Sequence, residues 1–297
     1  MKRLAIGLAI IFACGFGQPP QNAKTNVLGE HVRRELSDIA SAFDGVMGYC
    51  AIDLTTGETF GALQDDPFPT ASSIKLAIIY ELFTQVDRGR LKLDEMRPLS
   101  PAFKVGGSGV LNELSAPSLS IRDYTTLMVV LSDNTATNVL IDAVTMAAVN
   151  DRMAALGLPH TKLRRRMMDR EAALRGDENV STPAELAKLL QIMDRGEGLT
   201  PASRDALLGI LKKSKDTPLR RGVPANVEVA NKPGDLEGVA ADAGIVYVRN
   251  RPYVLVVMTS YADAGNKGAR AIEDASRAVY GYFHKLASGG DLGRMIR

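Results

Sequence analysis

Ser72 and Lys75 form the first pair of residues that could do chemistry. They stand three residues apart where a strongly apolar segment, Leu76 to Val86, predicts a helix, so their side chains share one helix face. A lysine so placed can take the serine proton if burial lowers its pKa, which makes Ser72 a candidate nucleophile for acyl transfer. A capped helix without a catalytic role fits the same pair, because a Ser-x-x-Lys match arises by chance about once in a chain of this length.

Two further segments carry polar groups that could serve this chemistry. Ser132-Asp133-Asn134 lies at the predicted junction of two helices, where a serine and an amide can point into a cleft. Lys232-Pro233-Gly234 follows a predicted strand, and there a lysine can hold an anionic group while the glycine lets a substrate approach the backbone. Taken alone, the first segment also fits a helix-capping cluster and the second an ordinary turn.

In this order, the three segments resemble the signature of the class A β-lactamases and penicillin-binding proteins, which reads Ser-x-x-Lys, Ser-Asp-Asn and Lys-Thr-Gly. The glycine-rich stretch 106–109 and the final order of strands and helix are also similar to that family, and the resemblance covers about Val27 to Leu286. It implies that Ser72 attacks a lactam carbonyl with the help of Lys75. It also implies that Ser132 passes a proton to the departing nitrogen.

The resemblance further implies a substrate-binding set, which consists of Asn134, Lys232, Pro233, Gly234 and Asp235. Asn134 would hold the substrate's side-chain amide and Lys232 would attract its carboxylate. The backbone N–H groups of Ser72 and Asp235 would form an oxyanion hole. This chemistry implies no cofactor, and the three histidines lack the spacing of zinc ligands, so no metal site is predicted.

The carboxylate anchor departs from the family pattern. The family has a threonine or serine where Pro233 stands, and its hydroxyl binds the substrate carboxylate. The arginine that many members place just before the position of Ile245 is also missing, and the nearby Arg220 and Arg221 receive no role from the sequence. Acylation remains possible, because proline is tolerated on an edge strand and the oxyanion donors are unaffected.

The deacylating base is the second departure. Family members carry Glu-x-x-Leu-Asn on a loop, and Glu171 fits the first part, but Arg175 replaces the asparagine and the loop is shorter. Asp169 is a rival candidate, and both carboxylates could instead pair with neighbouring arginines. A general base contributes about 10²–10⁴-fold, so losing it would leave a long-lived acyl-enzyme.

The order of elements predicts the fold class, an α/β (α+β) fold. It comprises a five-stranded antiparallel sheet flanked by the terminal helices, with an inserted all-helical lobe. The whole domain is predicted to span residues 27–288 and to begin with a helix from Val27. Its sheet part comprises 27–65 and 214–288, and the helical lobe comprises 66–213. A substrate site is expected in the cleft between the two parts.

Residues 1–26 predict a signal peptide and a flexible tether. Lys2 and Arg3 precede an apolar run that is too short to span a bilayer, and Cys14 follows in a context similar to a lipoprotein cleavage site. Lipid anchoring at Cys14 and ordinary cleavage nearby are both open. In either case the protein is expected to be exported, as a periplasmic or secreted protein or as a membrane-anchored lipoprotein.

The formal net charge of +2 and the lack of a basic stripe argue against nucleic acid as a partner, which leaves a small molecule. Cys50 would have no disulfide partner in the mature chain and is predicted to be a buried apolar residue. A monomer is the default expectation. Three functions compete: a β-lactamase, a D,D-peptidase or esterase, and a protein that binds lactams or peptidoglycan fragments and is acylated only once.

Overall fold

The computed structural model describes residues 23–115, 118–262, 267–290 and 293–295. The helices are α1 (Ala23–Ala42), α2 (Lys75–Asp87), α3 (Ile121–Val130), α4 (Asn134–Val144), α5 (Met146–Ala155), α6 (Arg170–Leu174), α7 (Pro183–Arg195), α8 (Pro201–Lys212), α9 (Pro218–Arg221) and α10 (Lys267–Ser288). The strands are β1 (Val46–Asp53), β2 (Thr59–Ala62), β3 (Phe68–Pro69), β4 (Met96–Pro98), β5 (Ser118–Ser120), β6 (Val180–Ser181), β7 (Val229–Leu236), β8 (Val239–Val246) and β9 (Tyr253–Ser260).

Five strands form one antiparallel sheet in the order β2-β1-β9-β8-β7, which confirms the predicted sheet. The central strand β9 is buried along its whole length, because helices cover both faces of the sheet. This explains why its sequence is a continuous apolar run rather than an alternating one. β7 lies at one edge of the sheet, and that edge is open to the active site described below.

Two apolar cores lie on the two faces of the sheet. The terminal helices α1 and α10 cover one face, where Leu36 and Phe283 are completely buried. The inner helices cover the other face around α2, which is apolar on nearly all sides and therefore lies in the centre of the helical part. The molecule thus has the predicted layers, a sheet with terminal helices on one side and a helical lobe on the other.

The structure adds two short ribbons to the predicted all-helical lobe: β3 pairs with β6, and β4 pairs with β5. It also moves two boundaries. α1 begins at Ala23, so residues 23–26 of the predicted tether are helical, and β7 continues through Leu236, so Lys232-Pro233-Gly234 lies inside a strand. The alternative interpretation of this segment as an ordinary turn is therefore wrong.

Side-chain caps fix the starts of two helices of the lobe. The Thr182 hydroxyl accepts from the N–H of Glu185 at the start of α7, and Ser120 caps α3 in the same way.

The single described cysteine, Cys50, is buried as expected, and burial raises its pKa to about 12. The predicted signal segment and Cys14 lie outside the described residues, and none of the described helices is long and apolar enough to cross a membrane.

Candidate active site

Ser72 lies in a single 3₁₀ turn, Ala71–Ile74, that leads directly into α2. The residue before it, Ala71, has a φ of +45°, a left-handed conformation that non-glycine residues rarely adopt. Strained backbone of this kind is common at active sites, where the surrounding structure maintains it. The turn places Ser72 at the surface of the cleft, half-buried, and Lys75 one turn further at the start of the helix.

Lys75 is completely buried, and its Nζ lies within hydrogen-bond distance of four oxygens. They are the Ser132 carbonyl (2.7 Å), Ser72 Oγ (3.0 Å), Ser132 Oγ (3.1 Å) and Asn134 Oδ1 (3.1 Å). The carbonyl and the amide oxygen can only accept, so a neutral amine satisfies both with its two N–H groups and keeps its lone pair for a hydroxyl. Burial lowers the pKa of Lys75 well below its usual range, and the charge of Lys232 lowers it further. Lys75 can therefore receive the proton of Ser72.

Ser132 joins the two lysines of the site. Its hydroxyl lies 3.1 Å from Lys75 Nζ and 3.0 Å from Lys232 Nζ, and its own backbone is left-handed, with a φ of +53°. Lys232 is fully buried and also donates to the carbonyl of Pro233 at 2.8 Å, and burial lowers its pKa to about 7. Ser72, Lys75, Ser132 and Lys232 thus form a continuous polar chain along which a proton can move.

Asp133 attaches the glycine-rich loop to the start of α4. One carboxylate oxygen caps α4 by accepting from the N–H of Ala136 (2.8 Å), and the other accepts from the N–H of Val110 (2.7 Å). The side chain of Asn134 donates to the carbonyl of Gly106 at 3.1 Å. Asp133 is a positioning residue to which the sequence reasoning gave no role, although an aspartate directly before a predicted helix was a signal for this cap.

Gly234 lets β7 approach the nucleophile. A Cβ at this position would lie 2.6 Å from the carbonyl oxygen of Thr70 and 2.8 Å from the backbone nitrogen of Ser72. These distances are too short for any other residue, so glycine is required for the close approach of the two backbones. The third segment is thereby brought against the turn that carries Ser72.

Pro233 and Asp235 occupy equivalent positions on the edge of β7. A proline has no N–H, so a strand tolerates it only where that N–H would point away from the neighbouring strand. N–H directions alternate along a strand, and the N–H of Asp235, two residues on, therefore points to the same open edge. Together with the N–H of Ser72, it can donate to an oxyanion.

A cavity of about 170 Å³ opens beside Ser72. Its lining includes Asn134, Arg165, Met168, Glu178 and Asp235. The two predicted deacylating carboxylates do not line it. Glu171 is exposed on α6, and Asp169 is exposed and caps that helix by accepting from the N–H of Ala172 at 3.0 Å. The structure therefore brings Ser72, Lys75, Ser132, Asn134 and the β7 residues together but leaves Glu171 outside.

The two arginines that the sequence left unassigned make structural contacts, one with β7 and the other with α10. Arg220 donates to Asn231 Oδ1 at 2.9 Å and also to the carbonyl of Val229, and so binds the edge of the strand. Arg221 forms ion pairs with Asp216 (2.9 Å) and Glu273 (3.1 Å). These contacts explain both residues without a substrate.

Comparisons with known proteins agree on one family. The sequence profile of the β-lactamase enzyme family matches residues 31–283. A β-lactamase from Amycolatopsis lactamdurans is 29% identical over 256 residues, which are 84% of each chain. The crystal structure of a β-lactamase from Sphaerobacter thermophilus is 33% identical and has a TM-score of 0.79, over 86% of this chain and 97% of that one. The structure of PBP-A is 30% identical with a TM-score of 0.80 over the same shares, and a variant of it has been solved as its acyl-enzyme with penicillin G.

Proposed function

Because this chain belongs to the β-lactamase enzyme family, we propose that it opens the ring of β-lactams by acyl transfer to Ser72 and then hydrolyses the acyl-enzyme. The observation that carries the proposal is the hydrogen-bonded chain from Ser72 through Lys75 and Ser132 to Lys232. The fold and family make the protein a class A-like serine hydrolase. The roles of the individual residues follow from the distances and burial of their side chains.

Acylation begins when neutral Lys75 takes the proton of Ser72 across 3.0 Å and Oγ attacks the lactam carbonyl carbon. The oxyanion that forms accepts hydrogen bonds from the N–H groups of Ser72 and Asp235. As the C–N bond breaks, Ser132 gives its proton to the lactam nitrogen and is reprotonated by Lys75, which lies 3.1 Å away. The products are an ester on Ser72 and a free ring nitrogen.

Substrate binding uses two buried side chains of the same site, those of Lys232 and Asn134. Lys232 attracts the substrate carboxylate, and the amide of Asn134, which lines the cavity, binds the amide of the acyl side chain. Pro233 contributes no hydroxyl, so we expect this chain to bind the carboxylate less tightly than a relative with threonine at that position.

A second candidate function is a penicillin-binding or D,D-peptidase activity in which the acyl-enzyme accumulates. The observation that favours it is the position of Glu171, which is exposed and does not line the cavity beside Ser72. The similarity to PBP-A is compatible with this second function.

The experiment mixes the protein with a chromogenic cephalosporin and follows absorbance and intact mass together. Steady turnover that is lost in Ser72→Ala supports the hydrolase. A stable mass increase on Ser72 without turnover supports the second candidate. If neither signal appears, both lactam functions are wrong.

We also propose that the protein is exported from the cytoplasm. The basic and apolar residues at the N-terminus predict a signal peptide, with Cys14 as a lipid attachment site or cleavage nearby. A mass measurement on protein expressed with its full N-terminus distinguishes a lipidated Cys14 from simple cleavage, and gel filtration tests the expected monomer.

A further inference from the structure

The cavity beside Ser72 contains a carboxylate for which the proposed reaction has so far no use. Within the described part of the chain, the acidic residues that line this cavity are Glu178 and Asp235. The acyl-enzyme on Ser72 must be attacked by water to complete turnover, and a volume of about 170 Å³ holds several water molecules. A carboxylate in the wall of this cavity can therefore reach such a water.

Glu178 is fixed in this wall by Arg165. Both Nη2 (2.8 Å) and Nε (3.2 Å) of Arg165 donate to the same oxygen, Oε2 of Glu178. The Arg165 side chain is only 10% exposed and the Glu178 side chain 31% exposed, so the pair is set into the wall while the carboxylate still reaches solvent. The other oxygen, Oε1, has no hydrogen-bond partner among the residues that the structure describes, and so it can accept a hydrogen bond from a water.

The position of Glu178 is tied to the turn that carries the nucleophile. The side chain of the next residue, Asn179, accepts from the N–H groups of Arg164 (2.7 Å) and Arg165 (3.0 Å). The backbone carbonyl of Asn179 accepts from both the N–H (2.9 Å) and the hydroxyl (3.0 Å) of Thr70, two residues before Ser72. Both members of the ion pair are therefore held at a fixed place relative to Ser72.

We propose that Glu178, rather than Glu171 or Asp169, is the general base for deacylation, with Arg165 as the residue that positions it. The inference rests on the proposed function, because it requires an acyl-enzyme on Ser72. A water in the cavity gives one proton to Glu178 Oε1 while its oxygen bonds to the ester carbon. The tetrahedral intermediate then breaks its bond to Ser72 Oγ, and the proton held by Glu178 returns through water to Oγ. The ester is thereby converted to a carboxylic acid and a free serine, and no other reactant is needed.

The experiment measures acylation and deacylation separately with benzylpenicillin, by intact mass over time after rapid mixing. Glu178→Gln keeps the size of the side chain and an oxygen for Arg165 but cannot take a proton. We expect its acylation rate to stay within a few-fold of that of the wild type and its deacylation to slow about 100-fold or more. Glu178→Asp keeps a carboxylate on a shorter side chain and should deacylate faster than Glu178→Gln.

The control is Asp177→Asn. Asp177 precedes Glu178, pairs with Arg175 at the surface (3.3 Å) and does not line the cavity, so this variant should deacylate at the wild-type rate. Glu171→Gln tests the rival residue directly. Slow deacylation in Glu171→Gln, or wild-type deacylation in Glu178→Gln, would overturn the inference.

The remaining outcomes separate the inference from the proposed function. If the wild type is never acylated, the proposed function itself fails. If the wild type is acylated but never deacylates, the function is of the trapping type and no base operates, so Glu178 has no such role. If Glu178→Gln and Glu178→Asp both fail to be acylated, Glu178 maintains the shape of the site before the ester forms, and the proposal is wrong.

Discussion

Pro233 is the residue at which this site differs most clearly in chemistry from the family signature. It lies in the edge strand β7 next to Lys232, at the position where the family signature has threonine or serine. The strand accepts a proline there because that N–H would point to the open edge, so a residue with an N–H fits equally well. The missing hydroxyl can therefore be restored without a change of backbone.

We expect Pro233→Thr to bind carboxylated β-lactams about tenfold more tightly, because a hydrogen bond to a charged group contributes roughly 1.5–3 kcal/mol. The dissociation constant before acylation, from the concentration dependence of the acylation rate, measures this effect. Pro233→Val is the matched control, since valine has the shape of threonine without the hydroxyl. A gain in Pro233→Val, or an equal gain with the methyl ester of the same lactam, would mean that the hydroxyl is not responsible.

Lys232 gives the site a dependence on pH. Burial lowers its pKa to about 7, so the free protein loses this positive charge as the pH rises through neutrality. The substrate carboxylate is attracted only by the protonated form. We expect the dissociation constant of a carboxylated β-lactam to increase about tenfold between pH 6 and pH 8, since one ionisation with a pKa near 7 controls binding.

This change is measured apart from the acylation rate constant, because binding and acylation are separate steps. The methyl ester of the same β-lactam carries no carboxylate and should show no increase in its dissociation constant. A dissociation constant that does not change with pH for either the acid or the ester would exclude Lys232 as the anchor.

At the scale of elements, the site depends on the distance between β7 and the turn before α2. Gly234 sets that distance, because a Cβ there would lie within 2.8 Å of the Ser72 and Ser73 backbone nitrogens. Gly234→Ala must push the strand away from Ser72 and separate the two oxyanion donors. We expect the acylation rate to fall about 100-fold or more, which is the cost of losing one such donor.

The matched control is Gly209→Ala in the interior of α8, where a Cβ would meet no atom within 4 Å. Alanine is the better helix former, so this variant should be about 1 kcal/mol more stable and fully active. Urea unfolding together with the acylation rate separates the two effects. Normal acylation in Gly234→Ala would show that the strand can move away without harm to the oxyanion hole.

Elements with a strong local pattern could be predicted from the sequence. The apolar run of β9 and the Thr-Pro starts of α7 and α8 each depend on neighbouring residues only. The end of β7 was missed, because Pro233 and Gly234 are typical of turns, and only the edge position and the approach of Ser72 explain them within a strand. The motif residues Ser72, Lys75, Ser132 and Lys232 were correctly expected to lie together.

The whole molecule determines the part of the site that the sequence could not predict. Glu171 matches a local motif, yet it is exposed, while Glu178 matches none and lines the cavity. Its place depends on contacts between distant segments, namely the pair with Arg165 and the bonds between Asn179 and Thr70. No local pattern encodes these contacts. If Glu178 is the deacylating base, a choice made from the local motif therefore selects the wrong carboxylate, Glu171.

Two lysines, the buried Lys232 and the half-buried Lys215, also predict how the stability of the whole molecule varies with pH. Burial lowers the pKa of both Lys232 and Lys215 to about 7, against about 10.4 in an unfolded chain, and the nearby Asp242 offsets part of this effect. Above pH 7 the unfolded state therefore binds more protons than the folded state, and the free energy of unfolding rises with pH. Cys50 has the opposite effect on the free energy of unfolding. Burial raises the pKa of its thiol to about 12 in the folded protein, so from about pH 9 the thiol ionises only in the unfolded chain.

We therefore expect the free energy of unfolding to increase from pH 7 to pH 8.5, with each lysine contributing up to about 1.4 kcal/mol per pH unit. Urea unfolding at several pH values measures this slope. Lys215→Met removes one of the two groups and should reduce the slope, whereas the exposed neighbour Lys213→Met should leave it unchanged. Lys215 Nζ donates to the carbonyl of Leu211 at 2.6 Å, so its loss also changes the absolute stability, and the slope is the quantity that decides. A slope of zero or below in the wild type would mean that the two lysines remain protonated in the folded protein.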